Sequence, residues 1–284
     1  MPRYVIVAES GADIPIELAE HYGISIVPMH VSLDEKTFED GEIPVVDIFA
    51  YFDKTNVLPK TSGSTPSDFS KVFDEIHEAS PEAEIIHLAY SAVTTCSYES
   101  SLIAAEGRDY VHHFDTKNVS AGQAMIALSV AEHISENPDI EMEELKSVIA
   151  DRIARLRMGF LPGELRYLHA GGRLSNASFI GAQLLKAKPF IEIVDGKLVA
   201  TKIYRGPMLR VAQKMTEDFL KRNELDSRYL FLLNSPGLDS SVKNTIEELV
   251  SKMGFEHTRW VQTGCVVSSH GGPGAFGIAG FSKS

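Results

Sequence analysis

In TPSDFSKVFDEIHEASPEAEIIHLAY, residues 65–90, the hydrophobic pattern changes from a helical to an extended one. Thr65, Pro66 and Asp68 stand in the order of a helix start, with Thr65 as N-cap, Pro66 at the first helical position and Asp68 at the third. Phe69, Val72, Phe73 and Ile76 follow at i, i+3, i+4 and i+7, the spacing of one buried helical stripe. IIHLAY then reads as a buried strand.

The same alternation extends in both directions. YVIVA at residues 4–8 is a β-branched run, and SGADIP turns it into an amphipathic segment ending near His21. ISIVPMHVSL, residues 24–33, reads as one extended run, and Val45 to Lys54 as a helix. Thr61-Ser62-Gly63-Ser64 is a polar loop. Beyond IIHLAY come a helix after Thr95, a strand in DYVHHF and a helix from Gln123 to Ser135. A longer helix starts near Glu141, with Leu145, Val148, Ile149, Ile153 and Leu156 on one stripe. Strands alternating with helices predict a parallel sheet covered on both faces.

The second half differs. LPGELRYLHAGGRLS leads into a helical stretch, and FIEIVDGKLVATKIY places Asp195-Gly196 between two β-rich runs, a strong hairpin signal. A helix carrying Met208, Ala212, Met215 and Phe219 follows, then the strand RYLFLLN. A helix with Val242, Ile246, Leu249, Val250 and Met253 and a last strand around RWVQT complete the pattern. The expected fold is α/β with two domains. Residues 1–160 form a parallel-sheet α/β/α domain, and residues 161–284 an α/β domain with a mixed or antiparallel sheet.

Composition narrows the function. The chain has 284 residues, 44% hydrophobic and 23% charged, with a net charge of −12. That is globular composition with material for a sizeable core. An acidic surface repels phosphate backbones and anionic bilayers, so neither nucleic acid nor a membrane is an expected partner. Two cysteines do not make a stapled scaffold. The run Tyr4 to Ala8 meets Glu9 at once, short of the roughly 7–15 apolar residues of a secretory leader. No stretch approaches the roughly 18 of a membrane helix, which points to a cytoplasmic protein. Phosphate-loop, HExxH, CxxC and GxSxG motifs are absent, and no metal-ligand spacing is visible. Gly272-Pro273-Gly274-Ala275-Phe276-Gly277 matches GxGxxG, but the chain ends before the helix, strand and acidic residue of a dinucleotide fold; a glycine turn at the C-terminal edge is the simpler reading.

Hydroxyl-rich turns remain, at the carboxyl ends of predicted strands where ligands collect in open α/β sheets. They are Thr61-Ser62, Ser91 with Thr94 and Thr95, Ser120-Ala121-Gly122, and Ser268-Ser269-His270-Gly271-Gly272. Any one could merely cap a helix; four together suggest a shared site. Hydroxyls, backbone N–H groups and one imidazole suit a single carboxylate, whereas a polyphosphate would require more positive charge. The alternative is a small hydrolase or acyltransferase with Ser91 as nucleophile and His270 as base.

The blocks ESGADIP, EDGEIPVVDIFAYF, TSGSTPSDF, HLAYSAVTTCSYESS, FDTKNVSAGQA, RYLHAGGRLSNASFIGAQLLKAKPFIEIVDGKL and SSHGGPGAFGI, taken in order, resemble the DegV family of bacterial fatty-acid-binding proteins along the whole chain. The resemblance implies two α/β domains with a long-chain fatty acid in a tunnel between them, no other cofactor and no catalysis. Its carboxylate would be held by Thr61, Ser62, Ser91 and His270, with Thr94, Gly122, Arg173 and Gly271 in the surroundings. It also implies a protein partner, a fatty-acid kinase that phosphorylates the presented acid, docking at Lys202 and Arg205. A lipid-loaded regulatory sensor is a third reading. Phe160, Leu161, Ile180, Leu184 and Phe190 are candidate tunnel residues. The chain departs from the family pattern at Glu9, at Gly63-Ser64, at Ala92, at Thr94-Thr95-Cys96 and at Ala170. An acyl chain of about 16 carbons, at roughly 0.8 kcal/mol per buried CH2, would supply on the order of 10 kcal/mol of transfer free energy.

Overall fold

The computed structural model describes residues 2–173 and 187–283. The helical stretch expected after Ser175, with Ile180 and Leu184, lies outside the described residues. Two main sheets and one small sheet form among those described.

The first main sheet has the order β2-β1-β6-β7, all parallel, from β1 (Tyr4–Glu9), β2 (Ser25–Val27), β6 (Glu84–Ala89) and β7 (Val111–Asp115). Helix α3 (Pro66–Ala79) starts with the expected capping box: Thr65 N–H donates to Asp68 at 2.7 Å and Asp68 N–H to Thr65 Oγ1 at 3.3 Å. Its stripe buries Phe69, Phe73 and Ile76 against Val7, Val27 and Ile85 of the sheet. The extended run at residues 24–33 is two strands. After β2, Pro28 lacks the N–H that a ladder needs, and β3 (His30–Leu33) joins an antiparallel sheet with β4 (Lys36–Glu39) and β5 (Lys60–Ser62). The supposed loop at Thr61-Ser62 is therefore strand, with Thr61 paired to Val31.

The second main sheet has the order β10-β9-β8-β13-β11-β12. Its strands are β8 (Leu156–Leu161), β9 (Ala187–Val194), β10 (Lys197–Arg205), β11 (Leu225–Asn234), β12 (His257–Gln262) and β13 (Phe276–Ser282). Only β11 and β12 run parallel; the other pairs are antiparallel. Asp195 and Gly196, at φ 47° and 80°, make the left-handed two-residue turn that closes the β9–β10 hairpin. Leu156, expected on a helix stripe, opens β8, so this sheet begins before residue 160. RWVQT is not the last strand. FGIAGFS follows it and lies in the middle of the sheet, between β8 and β11. Gly277 and Gly280 weaken its β signal, yet both sites are filled by neighbours: a Cβ on Gly277 would come within 2.9 Å of Leu233, and one on Gly280 within 2.6 Å of Leu225.

Helix α5 (Ser120–Glu136) joins the two sheets. It packs on β1 and β6 with one side and on β8, β11 and β13 with the other, and every residue from Ser120 to Leu128 is buried. Helix α6 (Met142–Arg155) covers its outer flank. Among the described residues no helix is long and apolar enough to cross a membrane.

Truncating Phe73 to Ala should cost about 3–5 kcal/mol through the cavity it leaves, and Thr65→Ala about 1 kcal/mol through the lost cap. Urea unfolding checks both; equal midpoints for Phe73→Ala and wild type would contradict the packing described.

Candidate functional site

Where α5 begins, the two sheets part around a cavity of about 830 Å3, measured out to its mouth. Tyr90 and Val119 from the first half and Met158, Phe160, Leu198 and Leu233 from the second make its walls mainly apolar. Alternation along β8 decides which residues reach it. Phe160 faces the cavity, whereas Leu161, with Phe190 of β9, belongs to the separate core on the far side of the sheet.

In the cavity lining, Thr61 and His270 meet across 209 residues of sequence, with Oγ1 and Nε2 2.9 Å apart. Thr61 comes from β5. His270 sits in the last turn of a short helix (Cys265–Gly271), where a hydroxyl-rich turn was expected. The hydroxyls of that segment bond locally: Ser269 to the Cys265 carbonyl at 2.8 Å, and Ser268 with Thr263 at 2.6 Å. They therefore build the helix and leave His270 as its polar contribution to the cavity. The chain after it turns at Gly272 and Gly274, both at positive φ, before β13. Gly171 lies against the imidazole, where a Cβ would stand 2.3 Å from Nδ1. Nδ1 itself is buried without a hydrogen-bond partner among the described residues. Burial, helped by the Arg173 charge, pushes His270 down to about 3, so the ring is neutral at ordinary pH.

Ser62, Thr94, Arg173 and Gly271 line the same cavity. Arg173 donates to the Gly171 carbonyl at 2.8 Å and the Thr94 carbonyl at 3.2 Å, which fixes it at the rim. Ser91 is placed differently. Its side chain is fully buried outside the lining, and its hydroxyl donates to the Gly196 carbonyl at the hairpin tip, at 2.8 Å. Gly122 is also outside the lining; Ser120, two residues earlier, is the member of that turn that reaches the cavity. Lys202 and Arg205 lie on β10, away from the cavity, and Lys202 pairs with Asp218 at 2.6 Å.

Two unusual stretches of the sequence touch each other. A Cβ on Gly63 would meet Thr95 Oγ1 at 2.4 Å and Ser97 Oγ at 2.5 Å, and the Ser64 N–H donates to Ser97 Oγ at 3.0 Å. The glycine and the bulkier Thr95 loop thus fit as a pair. Glu9 is fully buried and accepts from the Tyr90 N–H at 2.9 Å and from Gln123 at 2.8 Å. Burial alone would raise its carboxyl, but His87 and these donors hold it below the usual range.

Sequence reasoning missed Asp13, Asp40, Tyr90 and Ser235. Tyr90 and Ser235 line the cavity, and Asp13 and Asp40 stand behind it. The only signal for the two carboxylates was their place in ESGADIP and EDGEIP, which reads equally well as turn chemistry.

The chain matches the DegV family, described as a family of uncharacterised proteins, over residues 3–283. A DegV domain-containing protein of Caldanaerobacter subterraneus is 28% identical, with 98% of each chain covered. The protein DegV of Bacillus subtilis is 28% identical over 96% of this chain and 97% of its own. Among solved structures, a DegV family protein from Thermus thermophilus described by its fatty-acid binding superposes with a TM-score of 0.85 at 26% identity, covering 99% of this chain and 100% of that one. A stearic-acid-binding protein from Eubacterium ventriosum shares the fold, with a TM-score of 0.79 at 24% identity, covering 100% and 99%. This chain belongs to the DegV family.

Proposed function

We propose that the chain binds one long-chain fatty acid between its two domains, which divide where β8 begins at Leu156, with the carboxylate at Thr61, Ser62 and His270 and the acyl chain along the apolar walls. The observation that carries this reading is the Thr61–His270 pair in the lining of a mainly apolar cavity. A neutral imidazole and a hydroxyl offer hydrogen bonds without a fixed positive charge, and Arg173 in the same lining supplies a cationic group. Ser91 acts in support, holding the hairpin that brings Leu198 to the cavity. The fatty-acid binding of the Thermus thermophilus relative agrees with this assignment.

In the same reading the protein is a non-catalytic carrier in the cytoplasm, with no cofactor, that presents its ligand to a fatty-acid kinase docking near Arg205. Lys202 is already neutralised by Asp218, which makes Arg205 the more available charge. A hydrolase would require Ser91 and His270 to face each other, and instead Ser91 bonds Gly196 and His270 bonds Thr61.

Mass spectrometry of the purified protein, native and then denatured and extracted, should find one fatty acid per chain, released only on denaturation. Thr61→Val or His270→Ala should weaken rebinding of palmitate about 5- to 150-fold, the equivalent of one buried hydrogen bond at about 1–3 kcal/mol. Ser91→Ala should weaken it less than either. A clean unliganded mass with no uptake of C14–C18 acids would sink the assignment, and ester hydrolysis lost in Ser91→Ala would replace it with the hydrolase.

Stability should fall as the pH drops below about 6.5, where the unfolded imidazole takes up a proton that folded His270 refuses down to about 3. In that window the unfolded chain binds more protons, so acid favours unfolding. Urea unfolding at pH 7 and pH 4.5 should show a smaller loss for His270→Gln than for wild type; equal losses would contradict a neutral buried ring.

A further inference from the structure

The helix that carries His270, Cys265–Gly271, has no cap of its own: Gly264 precedes it and offers no side-chain acceptor. A helix of seven residues is not stable alone, and its first N–H groups need partners. Two carboxylates from the other half of the chain provide them. Asp13 Oδ1 accepts from the Gly264 N–H at 2.7 Å, and Asp40 Oδ1 from the Val266 N–H at 3.2 Å. The approach depends on the missing side chain of Gly264, where a Cβ would stand 2.9 Å from Asp40 and 3.3 Å from Asp13.

The second oxygen of each carboxylate reaches another part of the cavity. Asp13 Oδ2 accepts from the hydroxyl of Ser120, a lining residue held at a left-handed φ of 45° that serine rarely adopts. Asp40 Oδ2 accepts from Ser10 at 3.0 Å, and Ser10 Oγ accepts from the N–H of Met29, another lining residue, at 2.9 Å. Asp13 thus bridges the start of the His270 helix and the start of α5, and Asp40 bridges the same helix and the Met29 wall.

We propose that Asp13, seconded by Asp40, is the positioning residue of this site: it sets the His270 helix against Thr61 and fixes Ser120 in the same contact. Asp13 touches no ligand in this arrangement; it acts through Gly264. Burial, opposed by the Gly264 and Ser120 donors, keeps its carboxyl well above the usual range, so the contact is maintained at a desolvation cost that a surface cap would not bear. The step from His270 placement to ligand affinity rests on the fatty-acid reading; the placement itself does not.

The test separates the two. Imidazole NMR of the full chain, stripped of co-purified lipid, follows His270 titration without any ligand, and palmitate binding is measured in parallel. In wild type His270 should stay unprotonated above about pH 5. Asp13→Ala should bring its titration up by at least about one unit and weaken palmitate at least about tenfold. Asp13→Asn, which keeps an acceptor for Gly264 and a hydrogen-bonding group for Ser120, should restore both. A folded Asp13→Ala protein with unchanged His270 titration overturns the proposal, as does a folded Asp13→Asn protein in which His270 titrates in the ordinary range. If Asp13→Ala does not fold, Asp40→Ala, which removes the Val266 contact, is read by the same criteria. Wild type that takes no palmitate while Asp13→Ala still releases His270 would refute the fatty-acid reading and leave the positioning role standing.

Discussion

The burial of α5 from both sides is the constraint on which the rest depends. A helix on one sheet keeps a polar outer face; this one has none from Ser120 to Leu128, because a second sheet lies where solvent would be. Small residues make this possible. Ala121, Gly122, Ala124 and Ala127 let the backbone approach both sheets, and a Cβ on Gly122 would already come within 2.8 Å of Met158. The helix fills the space between the sheets along its length, and the space left ahead of its first residue is the cavity. Site and core are consequences of one packing decision.

That decision was partly legible in the sequence. Period and capping were sufficient for α3, the parallel strands around it and the Asp195-Gly196 hairpin, because each is set by interactions within a few residues. The errors fell where distant partners decide. Lys60–Ser62 is a strand only because His30–Leu33 lies beside it, and Phe276–Ser282 is a central strand because Leu233, Phe160 and Leu225 supply the bulk that its glycines lack. The local hydroxyl bonds help make a helix of what reads as a hydroxyl-rich turn.

The site divides in the same way. Thr61 and His270 stood out by residue type, and they meet. Ser91 stood out equally, yet its hydroxyl is committed to the hairpin tip; a serine at a strand end looks the same whether it faces a ligand or a carbonyl. Asp13 and Asp40 were invisible because their partners are backbone N–H groups at Gly264 and Val266, and a backbone donor leaves no mark in sequence. The neutrality of His270 was equally hidden, since it follows from burial against Gly171 and from the nearness of Arg173.

The central place of β13 also orders the assembly of the molecule. Strands β8 and β11 are separated in sequence by the whole hairpin and, among the described residues, by the helices Leu165–Ala170 and Met208–Asn223, and neither pairs with the other; both pair with Phe276–Ser282. Without those residues, the second sheet is two fragments with open edges, β10-β9-β8 and β11-β12, and α5 lacks the β13 part of its second contact. Exposed strand edges and an uncovered apolar helix are what chaperones bind and what drives aggregation. The parallel sheet at the front of the chain can form during synthesis. The half that carries His270 closes only through the non-local pairing of Phe276–Ser282, which raises its contact order.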